Sequence, residues 1–350
     1  MTPTTRAAKL PVLILLLVLC SPLYAQRQPY TLFKDTVGLT DKEIRQIDNG
    51  EVFTKVLESK DKYGMLVFGA VYVNAPIEKF AGVFRDVEKL QQEKVHLVVD
   101  SFSTIGAPAT AADFRRMELD RSDIDDLGSC KPGDCDLQIM DVDNLAKLQH
   151  IIKGRAVNKY ALVNQAIRES AARAMNAYAK GGLKALGSYR DRKHALNLYQ
   201  AMKDMVDASY YLPKDKAPDI YNHIVEYPKG KMDGVEDIFY WEKIDFGQGP
   251  VVRINHVSIF PKGYGAAKLI AANKQLYASK YMRIGLQMYY CIPDTGNPGK
   301  PGFYLIQMND SRLPDFGGLK LSIVRRIATS KAVEGTADTL EIYKRRSEGR

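Results

Sequence analysis

The sequence predicts an α+β fold on three observations. β-prone runs gather towards both ends of the chain, the middle third is patterned for helices, and one long amphipathic helix closes it. The composition suits a globular chain of 350 residues, with 45% hydrophobic and 26% charged residues, and excludes disordered, collagen-like and multi-span membrane classes. A chain of that length buries roughly three quarters of its unfolded surface, so stability requires no metal or disulfide staple. Lys and Arg outnumber Asp and Glu by 50 to 41. So mild an excess suits an anionic surface, and without a basic stripe no nucleic-acid partner is expected.

Residues 1–25 read as a signal peptide. Arg6 and Lys9 form a positive start, Leu10 to Cys20 is apolar, and Ser21 to Ala25 ends in a small residue suited to cleavage. The apolar run is well short of the ~20 residues a spanning helix needs, so export to a periplasmic or secreted location is expected. The alternatives are an uncleaved anchor and a lipoprotein modified at Cys20, where the bulky Leu19 is a poor fit. In an oxidising compartment Cys130-Lys131-Pro132-Gly133-Asp134-Cys135, with its central Pro-Gly turn, reads as a local disulfide. A metal site would need two more ligands. The histidines at 96, 150, 194, 223 and 256 stand singly, so neither metal nor cofactor is expected. Cys291, in an apolar run, reads as a buried inert thiol.

The elements follow in order. Thr40 and Glu43 form a capping box for a helix through Asp48, ended by Gly50. Val52–Leu57 and Tyr63–Val73 are strands, and Asn74-Ala75-Pro76 opens a helix whose apolar positions recur from Ile77 to Leu90. Val95–Phe102 returns to strand, and Phe114–Leu119 is expected to be another. From Val142 to Tyr211 the chain is Ala-, Lys- and Arg-rich. Val157, Leu162, Ile167, Ala171, Ala174 and Tyr178 mark one long helix ending at Gly181-Gly182, and a second covers about His194 to Tyr210. Pro213, Pro218 and Pro228 mark an irregular return. Glu236–Ile244, Val251–Phe260, about Ala278–Ile292 and Phe303–Met308 are strands parted by Gly/Pro turns such as Asp294 to Gly299. A final helix spans Gly318 to about Arg346, with Leu319, Ile323, Ile327, Leu340 and Tyr343 as its apolar stripe and Gly335 as a potential bend. The resulting organisation is a leader (1–25), a first part of the main domain (26–141), a helical insertion (142–230) and a second part (231–350).

Motifs for chemistry are scarce. The chain contains no phosphate loop, nucleophile elbow, His-Glu-x-x-His or dinucleotide fingerprint. His256 is a candidate base or polar anchor, with a hydrogen-bonded structural role as its alternative. Arg253 lies three residues away and so faces the other side of a regular strand, the side of Asn255. Arg283 and Arg312 can meet either a ligand anion or a nearby carboxylate such as Asp310 or Asp315.

The glycine-bearing first long strand, the Asn74-Ala75-Pro76 turn into a helix, the antiparallel run and the long C-terminal helix together resemble the START-like, helix-grip superfamily. Val71-Tyr72-Val73-Asn74-Ala75-Pro76-Ile77-Glu78-Lys79-Phe80 resembles its strand-to-helix entry, and Tyr304 to Arg312 resembles its penultimate strand. The likeness covers about Gly50–Leu97 and Ile238–Arg346. It does not extend to the insertion or to the Cys130–Cys135 loop, although exported bacterial proteins with a similar Cys-Lys-Pro-Gly-Asp-Cys turn are also alike. The resemblance implies a curved antiparallel sheet wrapped around the C-terminal helix, with a lipid-like apolar or amphipathic ligand held between them and no catalysis. The implied lining residues are Phe68, Tyr72, Phe239, Trp241, Arg253, His256, Tyr281, Tyr289, Tyr304 and Arg312, with Tyr277 beside them. Plain core packing is the alternative for each aromatic. Two other readings stay open: an envelope interaction protein that uses the insertion, and a cyclase- or hydrolase-type enzyme in the same cavity. The basic helices suit an anionic membrane surface.

Overall fold

Strand pairing organises the molecule around one sheet. The computed structural model describes residues 29–104, 106–139, 142–154, 156–212, 214–245, 247–296 and 302–350. The leader with Cys20, Pro213 and the second half of the Asp294–Gly299 turn lie outside these residues. The sheet is antiparallel and eight-stranded: β1 (Phe53–Leu57), β2 (Gly64–Val73), β3 (His96–Phe102), β6 (Glu236–Ile244), β7 (Val251–Phe260), β8 (Leu269–Ala278), β9 (Ile284–Pro293) and β10 (Phe303–Arg312). Its order is β1-β2-β10-β9-β8-β7-β6-β3, while β4 (Ser188–Tyr189) and β5 (Leu196–Asn197) pair separately. The chain is therefore α+β, with a large antiparallel sheet and a long C-terminal helix.

Both faces of the sheet are covered, and the period-2 alternation of each strand divides its side chains between two apolar cores. One face carries α2 (Ile77–Arg85) and α8 (Gly318–Ser347). There Phe80, Phe84, Leu340 and Tyr343 pack on Val71, Val73, Tyr289, Cys291, Phe303 and Leu305. The other face carries α1 (Asp41–Asp48), α5 (Lys159–Leu186), α6 (Leu198–Ala208) and α7 (Pro218–Glu226) on Phe68, Phe239, Trp241, Ile254, Met288 and Ile306. A satellite core joins α3 (Arg121–Ser129), α4 (Val142–Lys153) and Val163 of α5 around the Cys130–Cys135 disulfide, whose Cα atoms are 4.9 Å apart. The chain from β3 to β6 thus folds back on the sheet as a layer.

Two glycines allow close approaches. A Cβ on Gly69 of β2 would lie 2.6 Å from Leu340 and 2.7 Å from Thr336, so α8 crosses β2 where no side chain separates them. Gly182, at φ +62°, interrupts α5 beneath the carbonyl of Tyr227, which a Cβ there would meet at 1.8 Å.

Several expectations are corrected. Phe114–Leu119 is not a strand. Thr110 and Asp113 cap a 3₁₀ turn, Ala111–Phe114, which buries Phe114, and Met117 is buried in the segment that follows. The expected strand from about Ala278 to Ile292 is β9 alone, preceded by the reversal at Ser279–Arg283, and β8 before that reversal was not expected as a strand. β8 reads Leu-Ile-Ala-Ala-Asn-Lys-Gln-Leu-Tyr-Ala and is buried on both faces, so it has no alternation to reveal it. The Pro218 region is the helix α7, with the proline at its first turn. The stripe of α8 also splits: Leu340 and Tyr343 are buried, whereas Leu319, Ile323 and Ile327 are 77%, 47% and 43% exposed. The helix continues through Gly335.

Candidate functional site

A cavity of about 360 Å³ lies between the α3–α5 layer and strands β7 and β8. Its origin is local. α5 presents Ile167, Ala171, Ala174 and Ala185 towards the sheet, and alanines at helical spacing leave a gap where longer side chains would fill it. Leu145 and Leu148 of α4, Leu127 of α3, and Val252, Ile254, Leu276 and Tyr277 of the sheet complete an apolar wall.

Four polar side chains stand in that wall. Asn144 Nδ2 and Arg173 Nη2 both donate to Ser170 Oγ, at 3.0 and 2.9 Å, and Ser170 in turn donates to the Ala166 carbonyl at 2.9 Å. Arg173 is exposed, placing a cation at the rim. Gln138 is 6% exposed; its Nε2 donates to the Met282 carbonyl at 2.8 Å, and its Oε1 is left without a partner. No His, Cys, Asp or Glu among the described residues lines the cavity. The arrangement can hold an apolar body with a hydroxyl or anionic head.

The residues nominated from the sequence do not converge there. Phe68, Tyr72, Phe239, Trp241 and Tyr304 pack in the core of the helical-layer face, and Tyr289 in the core under α2 and α8. Trp241 Nε1 donates to the Asp113 carbonyl at 3.2 Å, and Tyr304 OH to Asp48 at 2.9 Å. Tyr281 sits exposed at the β8–β9 turn with φ +70°, its hydroxyl on the Gln248 carbonyl. Arg312 is paired with Asp61, and Arg283 with Asp191 and Asp315, each at 2.9 Å. Arg253 donates through Nε and Nη2 to Glu242 Oε1, which Asn255 also reaches, on the face opposite His256. Burial opposes the Glu242 charge, but Arg253 and His96 outweigh it and bring the carboxyl down to about 2. Of the expected residues only Tyr277 lines the cavity. The signal available in the sequence was the alanine-bearing stripe of α5; which side of the sheet it covers was not readable.

His256 instead belongs to a buried polar network. Asp237 Oδ1 receives His223 Nε2 and His256 Nε2, both at 2.9 Å, and Ser258 Oγ at 2.9 Å. The Met232 N–H donates to His223 Nδ1 at 3.0 Å, and Tyr178 OH donates to His256 Nδ1 at 2.8 Å, because burial pushes the tyrosine well up and keeps it protonated. Each imidazole therefore carries its proton on Nε2, aimed at Asp237. Burial raises the Asp237 carboxyl, but the hydrogen bonds from His223 and His256 outweigh it and hold the group well below the usual range. Burial pushes His256 down to about 4. It also pushes Lys274 down to about 7, with Asp237 acting against it. Lys274 Nζ donates to the Ile224 carbonyl at 2.7 Å, fixing β8 to α7.

His223, Asp237 and His256 place their ligand atoms within 4.8 Å of one another, the spacing of a cation site. The donor set does not fit a cation. A metal would need both Nε2 lone pairs, and the Met232 N–H takes the only other acceptor position of His223. The cluster ties α5, α7, β6 and β7 together through protons. Cys291 is buried, and burial pushes its thiol well up, away from nucleophilic use.

No family model, curated protein or solved structure matches the chain.

Proposed function

We propose that this protein is an exported, START-like binder of an amphipathic small molecule, which it holds in the cavity beneath α4 and α5. The observation that carries the reading is the cavity itself: about 360 Å³, apolar, with one unpartnered acceptor and one cation at its rim, and no titratable pair. That volume falls within the range of roughly 300–1,000 Å³ typical of ligand sites. Burying an apolar chain there gains roughly 25 cal/mol per Å² removed from water, enough to carry a lipid-like molecule through an aqueous space.

The START-like part is supported by topology. β2 is followed by α2 and β3, the sheet β1-β2-β10-β9-β8-β7-β6-β3 is antiparallel, and α8 closes one of its faces, in keeping with the sheet and C-terminal helix that the resemblance implies. Export is supported by the Cys130–Cys135 disulfide, a bond that persists in oxidising compartments. The ligand position differs from the one the resemblance implies, since the cavity lies on the face opposite α8.

The test uses the mature chain with dansyl-undecanoate, an amphipathic anion whose emission rises on burial. Binding is expected, together with its loss in Ala174→Phe, which fills the cavity, and its weakening in Arg173→Glu at the rim. Equal binding by the natural chain and Ala174→Phe would sink the proposal. Organic extraction of protein from its own envelope fraction would then identify the natural occupant.

A further inference from the structure

The outward face of α8 changes character halfway along. Its first four turns expose Leu319, Ile323 and Ile327, spaced four residues apart and pointing away from the sheet. In its last four turns the same face carries Glu334, Asp338, Glu341 and Arg345, all exposed. The charge changes with it. From Gly318 to Val333 the helix has Lys320, Arg325, Arg326 and Lys331 and no acidic residue, whereas Glu334–Ser347 has three acidic and three basic residues. Arg325 also donates to the Lys62 carbonyl, holding the β1–β2 turn with its exposed Lys60 and Lys62 beside this end of the helix. Of the acidic groups nearby, Asp61 is paired with Arg312, Asp315 with Arg283 and Glu334 with Lys331, which among the described residues leaves Glu58, exposed in the β1–β2 turn, as the one carboxylate beside Lys60 and Lys62.

The inner side of these turns, with Leu321, Val324 and Ala328, is half-buried on the sheet, and a helix so placed gains nothing from a second apolar stripe unless something covers it. Three side chains are too few for a stable protein partner, which needs roughly 800 Å² on each side and an interface core depleted of lysine. A bilayer asks for less. A short apolar ridge enters the headgroup boundary while flanking cations meet anionic lipids, and binding is reversible. We propose that the first four turns of α8 dock the protein on an anionic phospholipid surface, with Leu319, Ile323 and Ile327 inserted and Lys320, Arg326 and the Lys60–Lys62 turn on the headgroups. The surface lies on the opposite side of the sheet from the cavity, so the inference stands whether or not the cavity is a ligand site.

The test is sedimentation of the mature chain with vesicles of phosphatidylcholine alone or with about a third phosphatidylserine. Binding is expected only to the anionic vesicles, with release at about 0.5 M salt. The combined variant Leu319→Ser, Ile323→Ser, Ile327→Ser should lower the bound fraction by roughly tenfold or more, and Lys320→Glu with Arg326→Glu should do the same. The replaced side chains are exposed, so the melting temperature should not fall. Asp338→Asn with Glu341→Gln, on the other half of the same face, should bind like the natural chain. Absence of binding to anionic vesicles, or unchanged binding in both sets of variants, overturns the proposal. So does a dimer in solution that the triple serine variant abolishes, which would assign the ridge to a second copy.

Discussion

Asp310, on β10, offers a stability test whose sign depends on pH. The residue is 8% exposed and its carboxyl accepts a hydrogen bond from Tyr211 OH at 3.0 Å, with the Ser311 N–H also acting on it. Burial raises its pKa from 3.8 to about 7, against the hydrogen bond from Tyr211. A raised carboxylate pKa means that the folded chain keeps a proton the unfolded chain has already lost. Stability therefore falls as pH rises from 3.8 towards 7, and the loss is complete above that. About three pH units at 1.36 kcal/mol each make that loss roughly 4 kcal/mol. In Asp310→Asn the amide oxygen still accepts from Tyr211 and no charge is buried. The variant should be more stable than the natural chain by about 2–4 kcal/mol near pH 8, and the two should agree within about 1 kcal/mol near pH 4. Urea unfolding across the pH range reads the difference directly, and titration of His256 and Lys274 cancels because both proteins share it. A variant no more stable than the natural chain near pH 8 would refute the reasoning, since the buried carboxylate would then be compensated as an ion.

Three further outcomes follow from particular contacts. Gly69→Ala places a methyl against Leu340 and Thr336 and should cost about 1–3 kcal/mol, seen as a lower melting temperature; an unchanged value would mean that α8 does not grip β2. Asp237→Ala strands the Nε2–H groups of His223 and His256 and should destabilise by roughly 3 kcal/mol or more in urea. Zinc should not raise the melting temperature of the natural chain, and a rise of several degrees would contradict the tautomers assigned above. Replacing Cys130 and Cys135 by serine opens a loop of six residues and should cost about 2 kcal/mol. A reductant should move the natural chain by the same amount and the variant not at all.

Much of the element content was legible locally. The Thr40–Glu43 capping box and the Asn74–Pro76 entry to α2 are set by neighbours within a few residues, and each appears where its residues place it, whereas Gly181-Gly182 interrupts α5 instead of ending it, the helix resuming to Leu186. β8 was not legible, because a strand buried on both faces carries no period. α7 was hidden by a proline that ends a helix as readily as it begins one. The network around Asp237 was missed for a related reason: His223, Asp237 and His256 come from α7, β6 and β7 and share no spacing motif.

The sequence by itself determined the α+β class, the disulfide turn, the long closing helix and the amphipathic α5, because periodicity and turn chemistry act over a few residues. Only the tertiary structure decided which face of the sheet each element covers. That choice turned the alanines of α5 into a cavity wall, drew two histidines onto one carboxylate, and left Leu319, Ile323 and Ile327 facing outward. The physical reason is that a helix stripe states what must be buried but not against what. The partner is selected by strand order and by close approaches such as Gly69 under α8, which are properties of the assembled chain.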